Sequence, residues 1–350
     1  MKVLIIGGGI AGTTLAQLCE DKGIDFRVVE KGTNECSQMA AGILNPMVFR
    51  RMNLSWRVEE MMPAARSFYR KMEQKLGQEF YREIPIRRLL ASDQEAGYWI
   101  KKQHLPVYAD FMKEQTAEDL DFPTTKNTFG TGVLKGSACV NAMAYIPAQW
   151  KWLSETGRLD REAFDYQELD PETADYKGET FDYIIFAQGK DMLNNPWFRY
   201  LPLEATKGEL LTIKAPAVSQ AESLNRKCFM LPLGNGEFRV GSTYDFGADN
   251  TVITEEGKRT IMEQLTSVTD EPYTVTDQQA GVRPTVKDRR PLLGKHPDFP
   301  KLVIANGLGT KGYMLAPLLM EELLGHLAEG KPLDPETEIA RYDSLKNLTD

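Results

Sequence analysis

The sequence is poor in the residues that build hydrolase triads and metal centres. It contains three histidines, His104, His296 and His326, and no two of them stand at a metal-ligand spacing. Its four cysteines are widely spaced without a Cys-x-x-Cys pair, which argues against structural zinc and indicates a reducing compartment. We therefore expect no metal site and no histidine-dependent triad.

Long apolar runs and excess positive charge are also missing. No run approaches the roughly 18 apolar residues of a membrane-spanning helix. The apolar stretch at the N-terminus runs directly into a glycine turn, so we interpret it as the first strand rather than a signal peptide. The net charge of −8 argues against a general nucleic-acid binder. These absences predict a cytoplasmic protein. The length of 350 residues suggests about two domains, at roughly 150 residues per domain.

The first thirty residues carry the most informative pattern. Residues 2–6 form a short apolar run of strand length. Three glycines follow it at positions i, i+2 and i+5, namely Gly7, Gly9 and Gly12. An amphipathic helical stretch and a second β-branched strand then end on an acid, Glu30. Strand, glycine turn, helix, strand and acid in this order predict a dinucleotide-binding unit.

Each part of this unit has a physical role. The first glycine allows a tight turn, the second lets the backbone approach a pyrophosphate, and the third lets the helix lie close to the strand. The helix begins near Ile10 and Ala11 and directs free N–H groups at the phosphate. Glu30 can accept hydrogen bonds from ribose hydroxyls. Both NAD and FAD fit this stretch.

The next region contains two patterns that each allow two interpretations. The small residues within 38–46 indicate either backbone lying close to something bulky or the start of a helix. Arg50, Arg51 and Arg57 form a dense basic cluster, which suits either a solvated helix face or the approach of RNA. Helical spacing follows from residue 58 to Leu76, and Gly77 is a plausible stop.

Farther along, the pattern changes from helices to short strands and back. Helical patterns cover 95–111, 142–156 and 261–268, and a buried strand runs from 181 to a glycine corner at Gly189. Apolar and polar side chains alternate in residues 201–275, as in an antiparallel sheet with one solvent-exposed face. We predict an α/β chain, α+β overall. It has a Rossmann-like nucleotide domain (1–80, 132–200 and 278–350) and an inserted antiparallel β-sheet substrate domain (81–131 and 201–277).

Arg283 lies between apolar residues and a proline, where a solvated surface charge is hard to explain. A guanidinium in such a place needs an anionic partner, and its fork geometry suits a carboxylate. The partner is either a substrate carboxylate or a structural acid of a buried salt bridge.

A second glycine loop lies near the C-terminus. Residues 302–306 read as a strand, 307–314 as a glycine-rich loop, and a helix with Pro317 in its first turn follows. This is again strand, glycine loop and helix N-terminus, and one dinucleotide can serve both loops.

These motifs together resemble the flavoproteins of the D-amino-acid oxidase and glycine oxidase type, over nearly the whole chain. The resemblance rests on the first glycine turn with Glu30 and on residues 40–43, 185–189 and 202–208. It continues in Gly281-Val282-Arg283-Pro284 and in the loop and helix from Gly307 to Pro317, which are its most specific part. The C-terminal sequence from Gly307 to Leu319 also resembles the FAD oxidase domain of a bifunctional tRNA wobble-uridine-modifying enzyme.

The resemblance implies a set of site residues. The implied cofactor-binding residues are Gly7, Gly9, Ile10, Ala11, Gly12, Glu30, Lys31, Ala41, Gly42, Ile43, Gly189, Gly307, Leu308, Gly309, Thr310, Lys311, Gly312, Tyr313 and Met314. Glu30 and Lys31 would lie at the adenosine ribose, and residues 41–43 and 308–314 near the flavin. The implied catalytic residues are Arg283, which would hold the substrate carboxylate, Tyr244 over the substrate, and Lys311.

The resemblance also implies the chemistry. Relatives with covalent flavin carry a cysteine near Gly281-Val282, and this chain has none, so we expect noncovalent FAD. The expected step is hydride transfer from the carbon beside an amine nitrogen to flavin N5, with oxygen or a quinone as electron acceptor. The substrate would be a small carboxylated amine such as an amino acid or N-substituted glycine. Rival interpretations are a tRNA-modifying amine oxidase, a flavin hydroxylase, a nicotinamide-dependent dehydrogenase and a non-catalytic flavin-binding protein.

Overall fold

The computed structural model describes residues 1–32, 35–120 and 122–346. Residues 33, 34, 121 and 347–350, which fall inside the domains predicted above, lie outside the described residues. Within the described ranges the chain forms two large sheets, three small sheets and the helices that cover them.

The first large sheet has six strands, and its inner strands are buried and parallel. Its strands in spatial order are Leu159–Asp160, Asp25–Val29, Lys2–Ile6, Tyr183–Phe186, Leu302–Asn306 and Leu292–Lys295. All neighbouring strands are parallel except the last pair. The near-continuous apolar composition of the inner strands follows from burial on both faces.

Helices cover one face of this six-stranded sheet and form the main core. The α-helices of the described residues are Ile10–Asp21, Glu35–Met39, Val58–Leu76, Asp93–Lys102, Ala117–Leu120, Ala142–Glu155, Glu255–Leu265, Gly312–Glu329 and Asp343–Lys346. Four long ones, starting at residues 10, 58, 142 and 312, pack together in one apolar cluster on that face. The helix from Val58 ends as predicted at Gly77, which adopts φ 63°.

The second large sheet is mostly antiparallel. Its strands in spatial order are Asp245–Phe246, Leu203–Lys214, Glu237–Gly241, Phe229–Gly234, Ser223–Asn225, Ile86–Leu89 and Thr131–Leu134, and the strand Thr274–Val286 pairs along Leu203–Lys214. The helix Glu255–Leu265 packs against this sheet through Ile261 and Leu265. Two separate segments of the chain, 86–134 and 203–286, contribute the strands of this eight-stranded sheet.

Three small sheets complete the strand structure of the described residues. Their strands are Leu169–Asp170, Asp175–Tyr176 and Glu179–Thr180 in one, Ile43–Leu44, Ala138–Val140 and Tyr81–Glu83 in another, and Met47–Val48 with Asn53–Leu54 in the third.

Two helices differ in extent from the sequence prediction. The predicted helix 95–111 ends at Lys102 and is followed by a 3-10 turn at Pro106–Tyr108, because a proline has no N–H to continue the helix. The predicted helix 261–268 begins earlier, at Glu255. The Thr254 hydroxyl accepts the N–H of Gly257 at 2.9 Å and caps it.

The predicted fold class is confirmed: a mixed α/β chain joins a nucleotide-type sheet to an antiparallel one. The domain boundaries remain a prediction. Among the described residues, no helix has both the length and the apolar character needed to cross a membrane.

Candidate active site

A cavity of about 880 Å³ opens where the parallel strands end. Ile6, Glu30, Ala187 and Asn306 line it, and each stands at or directly after the carboxyl end of one parallel strand. The opposite wall belongs to the eight-stranded sheet, through Gly208, Leu210, Phe229, Gly241, Gly281 and Arg283. Ligands of doubly wound sheets bind at the carboxyl ends of the strands, so this cavity is the candidate active site.

The first glycine turn is packed so closely that side chains cannot be added. A Cβ on Gly12 would lie 1.8 Å from the carbonyl oxygen of Gly7, which itself adopts φ 106°. The helix Ile10–Asp21 is therefore held against the first strand. Its N-cap, Gly9, offers no side-chain cap, and Gly9, Ile10 and Ala11 line the cavity. The Ser37 hydroxyl accepts the N–H of Ile10 at 3.0 Å. A helix N-terminus that faces a cavity suits an anionic group.

Glu30 accepts hydrogen bonds from the backbone of this turn and of its own loop. One of its carboxylate oxygens accepts the N–H of Gly8 at 2.6 Å, and the other accepts the N–H of Gly32 at 2.8 Å. A carboxylate has about four acceptor positions, so both oxygens retain capacity for ligand hydroxyls. Glu30 is 5% exposed and lines the cavity.

The neighbouring strand end adds two polar contacts. Lys31 forms an ion pair with Asp191, which follows the strand Tyr183–Phe186. The Asn306 side-chain amide donates to the carbonyl of Gly189 at 2.9 Å. The cavity is also lined by Lys31, Gly189 and Asp191. The residues that follow the strands Asp25–Val29 and Tyr183–Phe186 therefore lie together on this side of the cavity.

The small-residue segment lies against a strand. A Cβ on Gly42 would lie 1.9 Å from the carbonyl oxygen of Val140, and the N–H of Val140 donates to the carbonyl of Gly42 at 2.9 Å. Ala41, Gly42 and Ile43 also line the cavity. The interpretation as close-lying backbone is supported, whereas the alternative of a helix start at these residues is wrong.

The second glycine loop brings another helix N-terminus to the cavity. A 3-10 turn at Gly309–Lys311 leads into the helix Gly312–Glu329, whose N-cap, Lys311, makes no side-chain cap. Every residue from Leu308 to Tyr313 lines the cavity, and the Tyr313 hydroxyl donates to the Ser37 carbonyl at 2.8 Å.

Pro317 lies inside this helix and not in its first turn, so that detail of the prediction is wrong. Because proline has no N–H, the carbonyl of Tyr313 four residues earlier lacks its helical donor. The hydroxyl of Tyr69 donates to that carbonyl at 2.7 Å. A buried tyrosine of another helix thus replaces the missing bond directly behind the glycine loop.

Lys311 is a partly buried cation at the cavity. Its Nζ donates to the Asn45 carbonyl at 3.0 Å and to the Ser55 hydroxyl, and within the described residues it has no acidic partner. Burial lowers the pKa of Lys311 from 10.5 to about 8. An ammonium with neutral partners and a cavity face can stabilise negative charge on a ligand.

Arg283 reaches the cavity from the strand Thr274–Val286. Its Nη2 donates to the Ser242 hydroxyl at 2.7 Å and its Nη1 to the Thr243 carbonyl at 3.3 Å. The guanidinium carbon lies 4.7 Å from the centre of the Tyr244 ring, and this ring is 57% exposed. Within the described part of the chain Arg283 forms no ion pair, so the alternative of a structural salt bridge is wrong.

The sequence matches a known protein family over most of its length. The family model of FAD dependent oxidoreductases (DAO) matches residues 2–323. The chain belongs to this family. It is therefore an FAD-dependent oxidoreductase, as the resemblance in the sequence predicted.

Individual relatives are distant but extensive. The bifunctional tRNA 5-methylaminomethyl-2-thiouridine biosynthesis protein MnmC of Thiobacillus denitrificans is 24% identical over 97% of this chain, which spans only 58% of that protein's length. Glycine oxidase of Bacillus subtilis is 21% identical over 90% of both chains. The crystal structure of glycine oxidase from Geobacillus kaustophilus has a TM-score of 0.78 at 20% identity and covers 97% of each chain. The structural likeness establishes the fold.

The cavity of this FAD-dependent oxidoreductase fits its cofactor. An elongated dinucleotide needs backbone without side chains at its pyrophosphate, and Gly7 and Gly9 of the first glycine turn line the cavity. It also gains from donors along its length, and the N-termini of two helices, Ile10–Asp21 and Gly312–Glu329, meet at the cavity.

The cavity brings together most of the predicted site residues. Those that line it are Gly7, Gly9, Ile10, Ala11, Glu30, Lys31, Ala41, Gly42, Ile43, Gly189, Tyr244, Arg283, Leu308, Gly309, Thr310, Lys311, Gly312 and Tyr313. The predicted site residues that do not line the cavity are Gly12, Gly307 and Met314, which are buried in or next to the two glycine loops. The individual binding roles remain proposals.

Other lining residues were missed from the sequence. They include Cys36, Ser37, Phe164, Tyr166, Gln188, Asn225, Lys227, Phe229 and Ser242. Most stand in loops or at strand ends without a motif, so no local signal marks them. Gly208 is an exception, because a glycine inside a strand often marks a close approach.

The cysteines are free thiols, and Cys19 lies in the core. Cys36 lines the cavity, and burial raises the pKa of its thiol to about 11, although the nearby charge of Arg283 lowers it in part. Across the described residues no group of three potential ligands could hold a metal ion.

Proposed function

We propose that this enzyme oxidises the C–N bond of an amino acid or N-substituted glycine, with Arg283 holding the substrate carboxylate. The observation that carries the proposal is the position of Arg283: a cavity-facing guanidinium with two neutral partners and, among the described residues, no acid. A charge so placed gains most from a ligand carboxylate, which its planar fork can bind through two hydrogen bonds.

The proposed cofactor position follows the two glycine loops. The pyrophosphate lies at the N-terminus of the helix Ile10–Asp21, and Glu30 with Lys31 meets the adenosine ribose. The isoalloxazine end lies against residues 41–43 and 308–313, where the second helix N-terminus and Lys311 favour negative charge. We expect the FAD to be noncovalent.

FAD held by the two glycine loops would supply the two-electron oxidant for the C–N bond, and the imine product would hydrolyse. The chain itself holds and orients the substrate. Arg283 binds the carboxylate, while Ser242 and the Thr243 carbonyl fix the guanidinium. The Tyr244 ring lies beside the same guanidinium. Such a reaction depends more on positioning than on a strong base, and none of the three histidines lines the cavity.

A tRNA-borne amine is a second candidate substrate, favoured by the similarity of 97% of the chain to the bifunctional tRNA-modifying protein. The basic cluster adds only limited support. Arg57 is engaged by Glu60, Glu322 and Asp334, which leaves Arg50 and Arg51 exposed. We therefore rank the small amine first.

An anaerobic screen tests the proposed function. Reconstituted enzyme is mixed with amino acids, N-alkylglycines, NADH and NADPH, and loss of the flavin absorbance is followed. Bleaching by a carboxylated amine supports the proposal. Bleaching by a reduced nicotinamide alone would favour a flavin hydroxylase, and salt-sensitive tRNA binding without amine turnover would favour an RNA-interacting flavoprotein. Oxygen uptake and reduction of a soluble quinone then distinguish the two electron acceptors.

We place the enzyme in the cytoplasm, because free cysteines suit a reducing compartment.

A further inference from the structure

The eight-stranded sheet contains a one-residue bulge at residues 242–244. Gly241 pairs with Leu210, and Asp245 pairs with Lys207. Between these two pairs one strand advances by four residues and its neighbour by three, so one residue is extra. A bulge redirects the side chains of its strand, and bulges are frequent beside active sites. The first and last residues of this bulge line the cavity.

Glu209 holds the bulge through its backbone. The N–H of Glu209 donates to the Thr243 hydroxyl at 2.9 Å, and its carbonyl accepts the N–H of Thr243 at 3.3 Å. The carbonyl of Thr243 in turn accepts a hydrogen bond from Arg283. A single residue of the bulge therefore connects Glu209 to Arg283.

The side chain of Glu209 points to the opposite face of the sheet. Gly208 and Leu210 line the cavity, and successive side chains of a strand alternate between the two faces. On the far face the Glu209 carboxylate accepts the Thr254 hydroxyl at 2.8 Å, the Thr254 N–H at 3.0 Å and the Gln278 amide at 2.7 Å. Thr254 caps the helix that follows it, and negative charge is stabilised at such a position.

Lys207 adds a second anchor on the far face. Its Nζ lies 3.3 Å from the Glu209 carboxylate and also donates to the carbonyl of Val252. Lys207 is 4% exposed and Glu209 is 3% exposed, so both charges have lost nearly all contact with water. The cost of burying such a pair is recovered only through the hydrogen bonds that it makes. Several of these bonds go to residues 252–254.

The loop between the two anchors, residues 244–253, exposes its large apolar side chains. These are Tyr244, Phe246, Val252 and Ile253, each at least 50% exposed. Side chains so exposed contribute little hydrophobic stabilisation. The position of the loop therefore depends strongly on the polar bonds of Lys207 and Glu209.

We propose that Glu209 is a positioning residue for substrate binding, with Lys207 as its partner. From the face of the sheet that the cavity does not reach, the two charges fix the loop and the bulge that hold Arg283 and Tyr244 in place. The inference rests on the proposed function, which assigns the substrate carboxylate to Arg283. It adds that a buried ion pair behind the sheet sets the affinity for that carboxylate.

Glu209→Gln keeps the size of the side chain and removes its charge. The FAD-loaded enzyme is mixed anaerobically with N-methylglycine, or with a carboxylated amine that bleaches the flavin faster in the screen. The substrate Kd should rise about tenfold, the effect of losing one charged hydrogen bond. The limiting rate of flavin reduction should stay within about threefold, because the change removes substrate binding rather than an interaction of the transition state. The Kd of FAD should not change.

Lys207→Met is the second variant. It removes the bond to the Val252 carbonyl and leaves Glu209 with its other three donors, so the substrate Kd should rise in this variant as well. If Glu209→Gln does not fold, Lys207→Met decides by the same criteria.

Asp119→Asn is the matched control. Asp119 is also 3% exposed and forms an ion pair of 2.7 Å with Arg87, which belongs to the strand Ile86–Leu89 of the same sheet. Neither residue is among the described residues that line the cavity. This variant loses a comparable buried pair, and its substrate Kd should stay within about twofold of the wild type.

A double variant separates positioning from general loosening of the sheet. If Glu209 acts through Arg283, Glu209→Gln should have little further effect in an Arg283→Ala background. Binding is weak in that background, so the slope of the bleaching rate against amine concentration replaces the Kd there.

The outcomes distinguish this inference from the proposed function. If Arg283→Ala raises the Kd but Glu209→Gln does not, the inference is wrong and the proposed function stands. The same holds if Asp119→Asn raises the Kd equally, or if Glu209→Gln lowers the slope as much without Arg283 as with it. If Arg283→Ala leaves the Kd unchanged, or if no carboxylated amine bleaches the flavin, both are overturned.

Discussion

The guanidinium of Arg283 lies directly over the Cα of Gly208 on the neighbouring strand. A Cβ at Gly208 would lie 2.0 Å from Nη2 and 2.3 Å from Cζ of Arg283. In the strand pairing, Gly208 stands opposite Gly281 and Arg283 opposite Thr206, so the arginine side chain leans across the sheet into the space that glycine leaves. The absence of one side chain positions the proposed carboxylate-binding group.

Gly208→Ala should therefore displace Arg283. We expect the KM for a carboxylated amine to rise about tenfold or more, the effect of losing one charged hydrogen bond, while FAD binding stays unchanged. Gly97→Ala is the control, because a Cβ there meets no atom within 4 Å and alanine suits its helix better. Steady-state kinetics of both variants decide the matter, and an unchanged KM in Gly208→Ala would show that Arg283 does not set substrate binding.

The hydrogen bond from Tyr69 to the Tyr313 carbonyl should stabilise the second glycine loop. Tyr69→Phe leaves a buried carbonyl without a donor, which should lower the free energy of unfolding by about 1–3 kcal/mol. Pro317→Ala supplies a backbone N–H to that same carbonyl. In the Pro317→Ala background, the Tyr69→Phe change should therefore cost much less. Urea unfolding of the four proteins measures the coupling, and an equal cost in both backgrounds would refute the explanation.

Lys311 should make the stability of the apoprotein depend on alkaline pH. Its pKa is about 8 when folded, against an ordinary 10.5 in the unfolded chain. Between these values the unfolded chain binds more protons, so the free energy of unfolding contributed by Lys311 rises with pH. The free energy of unfolding of the wild type minus that of Lys311→Met should thus be constant below about pH 8 and rise above it.

Urea unfolding of the apoprotein at a series of pH values measures this difference. The exposed Lys214→Met variant should show no comparable slope, since its side chain remains solvated. A difference that stays flat or falls as the pH rises would show that the folded protein does not lower the pKa of Lys311.

FAD should leave the protein on denaturation. The charge of Arg283 lowers the pKa of the Cys36 thiol only in part, and burial keeps it at about 11, so the thiol stays protonated at neutral pH. A thiolate rather than a thiol is the nucleophile. Acid precipitation of the holoenzyme should give a colourless pellet and release the flavin into the supernatant. A yellow pellet would establish a covalent link, and its loss in Cys36→Ala would locate it.

The sequence predicts those features that lie within one contiguous segment. The first glycine turn, its flanking strands and Glu30 fall within thirty residues, and turn, periodicity and helix start there agree with one another. The same holds for the second glycine loop. Arg283 could be singled out because its neighbours are apolar, so its charge required an explanation.

Features that depend on distant segments could not be predicted. Arg57 belongs to a basic cluster in the sequence, but the fold places Glu322 and Asp334 of a distant segment against it. Tyr69 meets the carbonyl freed by Pro317 only after two helices pack together.

Single-turnover reduction of the bound flavin tests the central claim most directly. Wild type, Arg283→Ala and Arg283→Lys are mixed anaerobically with increasing N-methylglycine, or with the best amine from the screen, and the bleaching rate is followed. We predict that Arg283→Ala raises the substrate Kd about a hundredfold, the upper effect of losing a hydrogen bond to a charged group. Arg283→Lys should recover part of the affinity, because it keeps the charge without the fork. Equal Kd values in all three proteins would remove Arg283 from the substrate site and contradict the account.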